Sequence, residues 1–288
     1  MAKKNEIWQK IHKEYVKLVV PNRMSVDDMK IYARLIKIVL KSKKGQNVML
    51  MGSTPELRRF LFTYTRFFKA TIYCVDSSRV MYKAMGDFIT KGDLQEKFIN
   101  ADWLKTGLPD DFFDLIIGDE VICNVPIKDH KKLFKEVSRV SKSSGYWITR
   151  HNFYLSNKIK TEDIVLEIVD DLTEKKYSFQ EAINYIFILL FYNLAAKNKK
   201  HCLNQRQELK EMEKIYTSLK PGLKKEVLKE LIRNFKEDWQ TSFNYYWHVL
   251  SKKESEKELK PFFEMKEVLY AHDYITAGNS PIYLLKKK

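Results

Sequence analysis

The sequence predicts an α/β protein built on a mostly parallel sheet of seven strands, with helices on both faces and a large helical insertion. Short apolar runs alternate with helical periods between residues 47 and 154, which is typical of strands buried between helices. The alternation then stops, and about a hundred residues of helical period follow. Two strand-like segments, 262–270 and 281–285, close the chain and predict an antiparallel hairpin.

Two helices are expected before the first strand. One covers residues 6–20, where apolar residues recur at helical spacing until Pro21 ends the run. The other starts at Ser25, because Ser25 and Asp28 form a capping-box pattern ahead of an apolar stripe. We assign residues 1–46 to these helices and the linker that follows them.

Five strands and the helices between them come next. At the first turn, Thr54 is a suitable helix N-cap and Pro55 suits the first helical position. Strands are predicted at 47–52, 71–76, 97–101, 112–117 and 145–150, and helices at 55–68, 78–90 and 128–141. The core domain thus comprises residues 47–154 and 262–288, and residues 155–261 form the insertion.

The composition is typical of a folded protein in a reducing compartment. A chain of 288 residues that is 44% hydrophobic can bury a large core. Three widely spaced cysteines without CxxC or His clustering indicate neither a disulfide framework nor a metal site. No signal peptide is visible, and the longest apolar run, 185–194, is too short to span a bilayer. We therefore expect a soluble, cytoplasmic protein without a membrane partner, and the oligomeric state stays open.

The net charge of +15 is concentrated near the N-terminus, where residues 1–46 hold 12 basic and 4 acidic side chains. Lysine outnumbers arginine in this excess, although arginine is the better bidentate ligand for phosphate. We interpret the excess as solvated helix faces and keep an RNA partner as the alternative.

Gly52 lies where the first strand turns into a helix, and Asp76 ends the second strand 24 residues later. In a nucleotide-binding βαβ unit, the first turn presents backbone N–H groups and a helix N-terminus to the ligand, and the acid accepts both ribose hydroxyls. The spacing fits this geometry, but only Gly52 remains of the GxGxxG glycines. Spacing alone therefore leaves a nucleotide site and an ordinary βαβ turn open.

The layout and the strand-end residues together resemble the class I S-adenosylmethionine-dependent methyltransferases, whose core is Rossmann-like. These transferases carry a glycine turn after strand one, an acid ending strand two, an Ala-Asp type of pair after strand three and a Phe-Asp-Leu-Ile type of strand four. The corresponding residues here are Met51-Gly52-Ser53-Thr54, Asp76, Ala101-Asp102 and Phe113-Asp114-Leu115-Ile116-Ile117. Thr54-Pro55-Glu56-Leu57 is similar to a branch of the family in which Thr-Pro-Glu-Leu replaces the glycine-rich turn.

This resemblance covers residues 47–154 and 262–288, and it implies an enzyme that uses S-adenosyl-L-methionine as its cofactor. The site it implies lies beyond the carboxyl ends of the strands. The residues it assigns are Gly52, Ser53 and Thr54 to the methionine carboxylate, Asp76 and Ser77 to the ribose, Ala101, Asp102 and Trp103 to the adenine, and Asp119 and Glu120 to the sulfonium. Arg58 and Arg23 are interpreted as exposed helix residues, and spacing alone leaves open that they reach the cofactor carboxylate.

The chemistry is an in-line displacement at the methyl group, which needs a base only when the acceptor carries a proton. Glu120 and His151, which follow strands four and five, are the candidate bases, and His130 and His248 are weaker ones. A structural role stays open for each of them, because strand-end acids are often solvated and histidines often lie in the core.

The insertion, with its aromatic segment 243–248, is expected to roof the site, which favours a small-molecule or peptide acceptor over a nucleic-acid duplex. An RNA methyltransferase is the alternative, but Gly118-Asp119-Glu120-Val121 stands where the Asn/Asp-Pro-Pro-Tyr/Phe signature of amino-nitrogen methylation would follow strand four. A non-catalytic binding protein on the same fold is a third hypothesis. An NAD dehydrogenase fits less well, because GxGxxG is missing.

Overall fold

The computed structural model describes residues 15, 18–20, 22–40, 45–89, 96–154, 159–198, 202–239 and 246–288. Most of the helix predicted over 6–20, the linker residues 41–44 and residues 243–245 of the aromatic segment lie outside the described residues.

The described residues form nine α-helices and nine strands, which alternate in the first half of the chain and are mainly helices in the second half. In chain order the elements are α1 (Val26–Leu40), β1 (Asn47–Met51), α2 (Pro55–Phe68), β2 (Thr71–Asp76), α3 (Arg79–Gly86), β3 (Glu96–Asn100), β4 (Phe113–Asp119), α4 (His130–Val140), β5 (Ser141–Arg150), α5 (Thr161–Thr173), α6 (Phe179–Lys197), β6 (Cys202–Leu203), α7 (Gln205–Ser218), α8 (Leu223–Trp239), β7 (Trp247–His248), α9 (Lys252–Leu259), β8 (Phe263–Leu269) and β9 (Ile282–Lys287).

The chain divides into two compact units. The sheet unit comprises Ser25–Asn152, Lys253–Asp273 and Ser280–Lys288. The helical unit comprises Phe153–Lys252, Tyr274–Asn279 and the described residues before Ser25. Helix α1 therefore belongs to the same unit as the sheet.

The sheet unit is organised around seven strands in the order β3-β2-β1-β4-β5-β9-β8. The first five strands are parallel, and β9 runs antiparallel to both β5 and β8. This topology confirms the predicted mixed sheet and its terminal antiparallel hairpin. The two central strands are buried along nearly their whole length, with Val48 to Met51 and Phe113 to Ile117 at most 1% exposed except for Asp114.

Local sequence accounts for the start of α1. Ser25 Oγ accepts from the Asp28 N–H at 3.0 Å, and Asp28 Oδ2 accepts from the Ser25 N–H at 2.9 Å. The reciprocal pair confirms the predicted capping box, in which two otherwise unpaired helix donors are satisfied. Asp28 is nevertheless completely buried, so its carboxylate has a second task that the capping pattern does not reveal.

The start of β5 differs from the sequence-based prediction. Strand β5 begins at Ser141 rather than at residue 145, because Phe113 of β4 pairs with Ser141 before a bulge shifts the register. Polar residues at 141–144 concealed this start. A Cβ on Gly145 would lie 2.8 Å from the Lys142 oxygen and 2.9 Å from the Phe113 oxygen, so the bulge requires glycine there.

The helical unit contains α5 to α8 and a short antiparallel pair, β6 with β7. The expectation that strands are absent from the insertion is therefore wrong, because two-residue strands leave no periodic signal in the sequence. Helix α6 has 19 residues and is apolar enough to cross a membrane, but 61% of that window is buried inside the structure, as in a core helix of a folded protein. Its polar residues Asn184 and Asn193 are both fully buried.

Candidate functional site

The carboxyl ends of β1, β2, β3 and β4 lie side by side in the sheet unit. Met51 of β1 pairs with Val75 of β2 and with Gly118 of β4, and Asp76 pairs with Asn100 of β3. The residues directly after these four strands therefore lie along one rim, which is where open α/β sheets bind ligands. We call this edge the strand-end rim.

The turn after β1 is shaped by Gly52, whose φ of +88° is a conformation that glycine adopts far more readily than other residues. The Gly52 N–H donates to the Val75 oxygen at 3.0 Å, and the Cys74 thiol donates to the Gly52 oxygen at 3.3 Å. Thr54 occupies the N-cap position of α2 but makes no side-chain capping bond, and Pro55 takes the first helical position. The helix N-terminus thus begins at the rim without a side-chain cap.

Asp76 ends β2 with a carboxylate that two neighbours orient. Ser53 Oγ donates to Asp76 Oδ2 at 2.7 Å, and the Ser78 N–H donates to Oδ1 at 2.9 Å. Ser78 also caps α3 by accepting from the Met81 N–H at 3.1 Å, whereas Ser77 is exposed. The Asp76 side chain is half-buried, so its carboxylate is held in one orientation while part of it still faces solvent.

The turn after β3 is tied to the first two turns. Trp103 Nε1 donates to the Val75 oxygen at 2.8 Å, and its ring lies 3.4 Å from the position that a Cβ on Gly52 would take. The Ala101 N–H donates to the Asp76 oxygen at 3.2 Å. Asp102 Oδ1 accepts from the Leu104 N–H at 2.9 Å, so one of its oxygens serves the turn itself.

The end of β4 carries an ion cluster around Arg150, the last residue of β5. Arg150 is completely buried and donates to both oxygens of Asp119, from Nε at 2.7 Å and from Nη2 at 3.0 Å. Nη2 also lies 3.1 Å from Glu120 Oε1, and Nη1 lies 3.0 Å from Asp28 Oδ2. One guanidinium therefore holds three carboxylates from two segments of the chain, the start of α1 and the end of β4.

Burial controls the protonation of this cluster. It raises the pKa of Glu120 to about 7, with Arg150 opposing the shift and Asp119 adding to it. The pKa of Asp119 is raised as well, again mainly by burial, and Glu56 contributes to that shift electrostatically. Since three carboxylates surround one guanidinium, the cluster has excess negative charge when ionised, and Glu120, with 20% of its side chain exposed, is its most accessible member.

The histidines are placed differently from the sequence-based prediction. His151 is completely buried, and burial lowers its pKa to about 3, so it is neutral and a weak base at physiological pH. His130, also buried, bonds Glu258 Oε2 at 2.9 Å and the Val125 oxygen at 3.1 Å. His248 lies in β7 of the helical unit. Of the two candidate bases, only Glu120 has an exposed side-chain surface.

The prediction that Arg58 is an exposed helix residue is wrong. Its side chain is 1% exposed and pairs with Glu96, which is 3% exposed. It also donates to the Tyr82 oxygen at 3.0 Å and lies over the Tyr82 ring at 4.3 Å. Tyr82 and Glu96 therefore contact the guanidinium, which the helical pattern predicts to face solvent. Arg23, in the helical unit, lies 4.9 Å from the centre of the Tyr15 ring.

Sequence reasoning missed Arg150, Asp28 and Tyr32. Tyr32 is buried, donates to the Gly118 oxygen at 2.7 Å and accepts from the Arg150 N–H at 2.8 Å, which joins the ends of β4 and β5. A signal was present, because Arg150 is a charged residue at the end of an apolar strand beside two acids that follow the neighbouring strand. Nothing in the local pattern connects Asp28 to them.

The comparisons with known proteins agree with this geometry. Residues 57–149 match a family model described as a methyltransferase domain. A comparison with curated proteins gives no significant match.

Solved structures share the fold at low sequence identity. An N-methyltransferase, NodS from Bradyrhizobium japonicum WM9 in complex with S-adenosyl-L-homocysteine, is 9% identical, with 98% of each chain covered and a TM-score of 0.51. A protein described as a putative Zn-dependent alcohol dehydrogenase from Rhodobacter sphaeroides is 14% identical, with 99% of this chain and 98% of that chain covered and a TM-score of 0.57. The CurJ carbon methyltransferase is 9% identical, with 92% of this chain and 56% of that chain covered and a TM-score of 0.51.

At these identities the solved structures show the fold alone, and the family model adds the description of a methyltransferase domain for part of the chain. The matched segment begins in α2 and ends in β5, so it contains β2, β3 and β4, whereas β1 and the Gly52 turn precede it. The chain therefore contains a methyltransferase domain over residues 57–149, in a sheet with the class I methyltransferase fold.

Proposed function

We propose that this protein transfers a methyl group from S-adenosyl-L-methionine to a small-molecule or peptide acceptor. The observation that carries the proposal is the arrangement of the strand-end rim. The oriented carboxylate of Asp76, which can bind hydroxyl groups, lies at the end of β2, and a buried acidic cluster lies at the end of β4. The turn after β1, which no side chain caps, lies between them.

The residues at the rim fit the three polar parts of the cofactor. The Asp76 carboxylate, held by Ser53 and the Ser78 N–H, suits a ribose diol, because two hydroxyls can donate to two fixed oxygens. The first turn of α2 suits the methionine carboxylate, because helix N-termini favour anions and Thr54 does not cap it. We assign Ser77, Ala101, Asp102 and Trp103 to the ribose and adenine environment on their place in the turns after β2 and β3.

The acidic cluster fits the cationic centre of the cofactor. Asp119 ends β4, which lies next to β1 in the sheet, and Glu120 follows it. Their negative charge favours a sulfonium over a neutral sulfur. When bound, the cofactor supplies an electrophilic methyl group on that sulfur. The residues of this chain orient the two reactants, and Glu120 takes up the proton that an amine or hydroxyl acceptor must lose.

The proposed class of methyl acceptor depends on the helical insertion. Residues between β5 and β8 form four α-helices of 13 to 19 residues, α5 to α8, with a shared apolar core that includes Val165, Ile186, Leu190, Leu228 and Leu231. We propose a small molecule or a peptide segment as the acceptor on the size of this insertion in the sequence. We propose a cytoplasmic location because three widely spaced cysteines without a disulfide pattern suit a reducing compartment.

An experiment with labelled cofactor tests the function. The protein is incubated with S-adenosylmethionine carrying tritium on its methyl group and with cell extract separated into small molecules, peptides, proteins and RNA. The proposal predicts label in the small-molecule or peptide fraction, and its loss with the variant Asp76→Ala. Cofactor binding without transfer to any fraction would instead favour a non-catalytic binding protein.

Salt dependence separates the RNA hypothesis from the proposed one. If the basic N-terminal segment gripped phosphates, RNA affinity would fall steeply between 50 and 200 mM salt, on the order of a thousandfold for six or more phosphate contacts. We expect weak RNA binding and no labelled RNA. Label in the RNA fraction together with such a salt dependence would replace the proposed acceptor.

A further inference from the structure

Arg150 links three segments of the sheet unit through one side chain. Its guanidinium bonds both oxygens of Asp119, lies 3.1 Å from Glu120 Oε1 and reaches Asp28 Oδ2 of α1 at 3.0 Å. The Arg150 and Asp28 side chains have no exposed surface. Isolated charges are costly to bury, so a fully enclosed arginine with three carboxylates is a specialised arrangement.

The anchor on α1 is itself held in place. Asp28 Oδ2, which accepts from Arg150 Nη1, also accepts from the Ser25 N–H at 2.9 Å, and Asp28 N–H donates back to Ser25 Oγ. The capping box that starts α1 therefore positions the carboxylate that in turn positions the guanidinium. The planar guanidinium can meet all three acids at once, which a lysine ammonium on a flexible stem cannot.

The backbone near Glu120 needs such support. Glu120 has a φ of +52°, which is uncommon for a residue with a side chain and strains the main chain there. Its N–H donates to the Arg150 oxygen at 3.2 Å, and its oxygen accepts from Asn124 Nδ2 at 2.9 Å. Arg150 thus holds both the main chain and the side chain of Glu120.

We propose that Arg150 is a positioning residue of the methyl-transfer site, which through its Asp28 anchor sets the placement and charge of the Asp119 and Glu120 carboxylates at the strand-end rim. This inference rests on the proposed function, because it assigns the rim to S-adenosylmethionine. Different measurements test the two proposals, however. Cofactor binding by the wild type tests the proposed function, and the pH midpoint of cofactor preference in the variants tests the role of Arg150.

Several groups face Glu120 and act on its charge. Arg150 favours the ionised form, whereas Asp119 and Asp28 oppose it, and Asn152 stabilises it with a hydrogen bond. The Cys123 thiol interacts electrostatically with Glu120, and its own pKa is raised far enough by burial that it stays neutral. Tyr32, also neutral, contacts Arg150, and Glu56 acts on Asp119. Arg150 and Asp28 therefore push the protonation of Glu120 in opposite directions.

The test compares two cofactor forms across pH. S-adenosylmethionine carries a positive sulfur and S-adenosylhomocysteine a neutral one, so the ratio of their dissociation constants reports the charge near the sulfur. Calorimetry from pH 5.5 to 8.5 gives this ratio for the wild type and for Glu120→Gln, Arg150→Lys and Asp28→Asn. The matched control is Arg58→Lys, which alters another buried arginine with a carboxylate partner in the same unit.

We expect the wild-type preference for the charged cofactor to rise with a midpoint near pH 7, and Glu120→Gln to abolish this rise. Arg150→Lys should move the midpoint upward, because a lysine keeps the charge but cannot meet all three acids. Asp28→Asn should move the midpoint downward by about one pH unit, the lower end of what a neighbouring charge produces. Arg58→Lys should lower stability without moving the midpoint.

Unchanged midpoints in Arg150→Lys and Asp28→Asn, with only stability reduced, would overturn the positioning role and leave the proposed function standing. If Arg150→Lys does not fold, the Asp28→Asn midpoint decides the question alone. Folded wild-type protein that binds neither cofactor form would contradict the proposed function, and the role of Arg150 with it.

Discussion

Ser53 and Asp76 are joined by a 2.7 Å hydrogen bond from Ser53 Oγ to Asp76 Oδ2, which connects the turn after β1 with the end of β2. Ser53 is 5% exposed, so water competes little for this bond. The turn lacks the later glycines of GxGxxG, and a side-chain hydroxyl now orients the acid that the ribose would contact. We infer that the Thr-Pro-Glu-Leu type of turn keeps its cofactor geometry through this pair.

Removing the Asp76 carboxylate should weaken binding of S-adenosylmethionine strongly. Hydrogen bonds to charged groups contribute about 1.5–3 kcal/mol, so Asp76→Ala should raise the dissociation constant by about tenfold to a hundredfold. Ser53→Ala removes only the orienting donor and should cost about fivefold. Calorimetry with S-adenosylhomocysteine measures both. An Asp76→Ala protein that binds as well as the wild type would show that the ribose lies elsewhere.

Replacing Gly52 with alanine should lower both stability and cofactor affinity. The φ of +88° at Gly52 costs a residue with a Cβ about 1–2 kcal/mol, and a Cβ there would meet the Trp103 ring at 3.4 Å. Urea unfolding and calorimetry give the two effects.

Gly107 provides a matched control for Gly52. Its φ is +69°, and a Cβ there would meet no atom within 4 Å. Gly107→Ala should therefore carry a similar backbone cost while leaving cofactor affinity unchanged within about twofold. Equal losses of affinity in the two variants would mean that the Gly52 turn has no special place in binding.

The stability of the protein should depend on pH through Glu120. Its pKa is about 7 when folded and 4.5 for the unperturbed group, so the folded state retains the proton over that interval. The stability that comes from this raised pKa is fully present below about pH 4.5, and it is lost as the pH rises through 7. The free energy of unfolding of the wild type should thus fall relative to Glu120→Gln by up to about 3 kcal/mol between pH 4.5 and 8.

Urea unfolding of the wild type and Glu120→Gln at pH 5 and pH 8 measures this difference. A constant difference between the two proteins at both pH values would show that Glu120 titrates as an ordinary exposed acid.

The buried pair of Arg58 and Glu96 should affect stability alone. Breaking a buried ion pair costs about 3–5 kcal/mol because one charge stays unpaired, so Glu96→Gln should lower the free energy of unfolding by about 3 kcal/mol. Cofactor affinity at 25 °C should stay within about twofold of the wild type. The double variant Arg58→Met/Glu96→Met removes both charges and should recover part of the loss. A large change in affinity in Glu96→Gln would bring this pair into the site.

Much of the fold follows from the sequence because parallel strands are continuous apolar runs. The runs ending at Met51 and Asp76 gave strand ends within one residue of those observed, and the terminal hairpin was confirmed in the same way. Strand β5 began four residues earlier than predicted because its first residues are polar and lie next to a bulge. The β6–β7 pair carries no period at all, since each strand has two residues.

The rim was partly predictable for a related reason. Apolar runs in the sequence predict where strands end. Because Gly52, Asp76 and Asp119 lie at the ends of such runs, the sequence predicts that they share one edge of the sheet. Asp28 lies 122 residues from Arg150 in the chain, and a capping box describes it completely at the level of sequence. Similarly, the helical period around Arg58 does not reveal that Glu96 on β3 encloses it. Ion pairs of this kind join residues far apart in the chain, so they depend on which faces of the helices and strands pack together, which local sequence patterns do not show.

The most direct test of the central claim is a crystal structure of the protein with S-adenosylhomocysteine bound. The account predicts the ribose hydroxyls within hydrogen-bond distance of Asp76, the cofactor carboxylate at the first turn of α2, and the sulfur bordered by Asp119 and Glu120. A cofactor bound elsewhere, or a rim filled by the Trp103 ring with no cofactor density in soaked crystals, would contradict it.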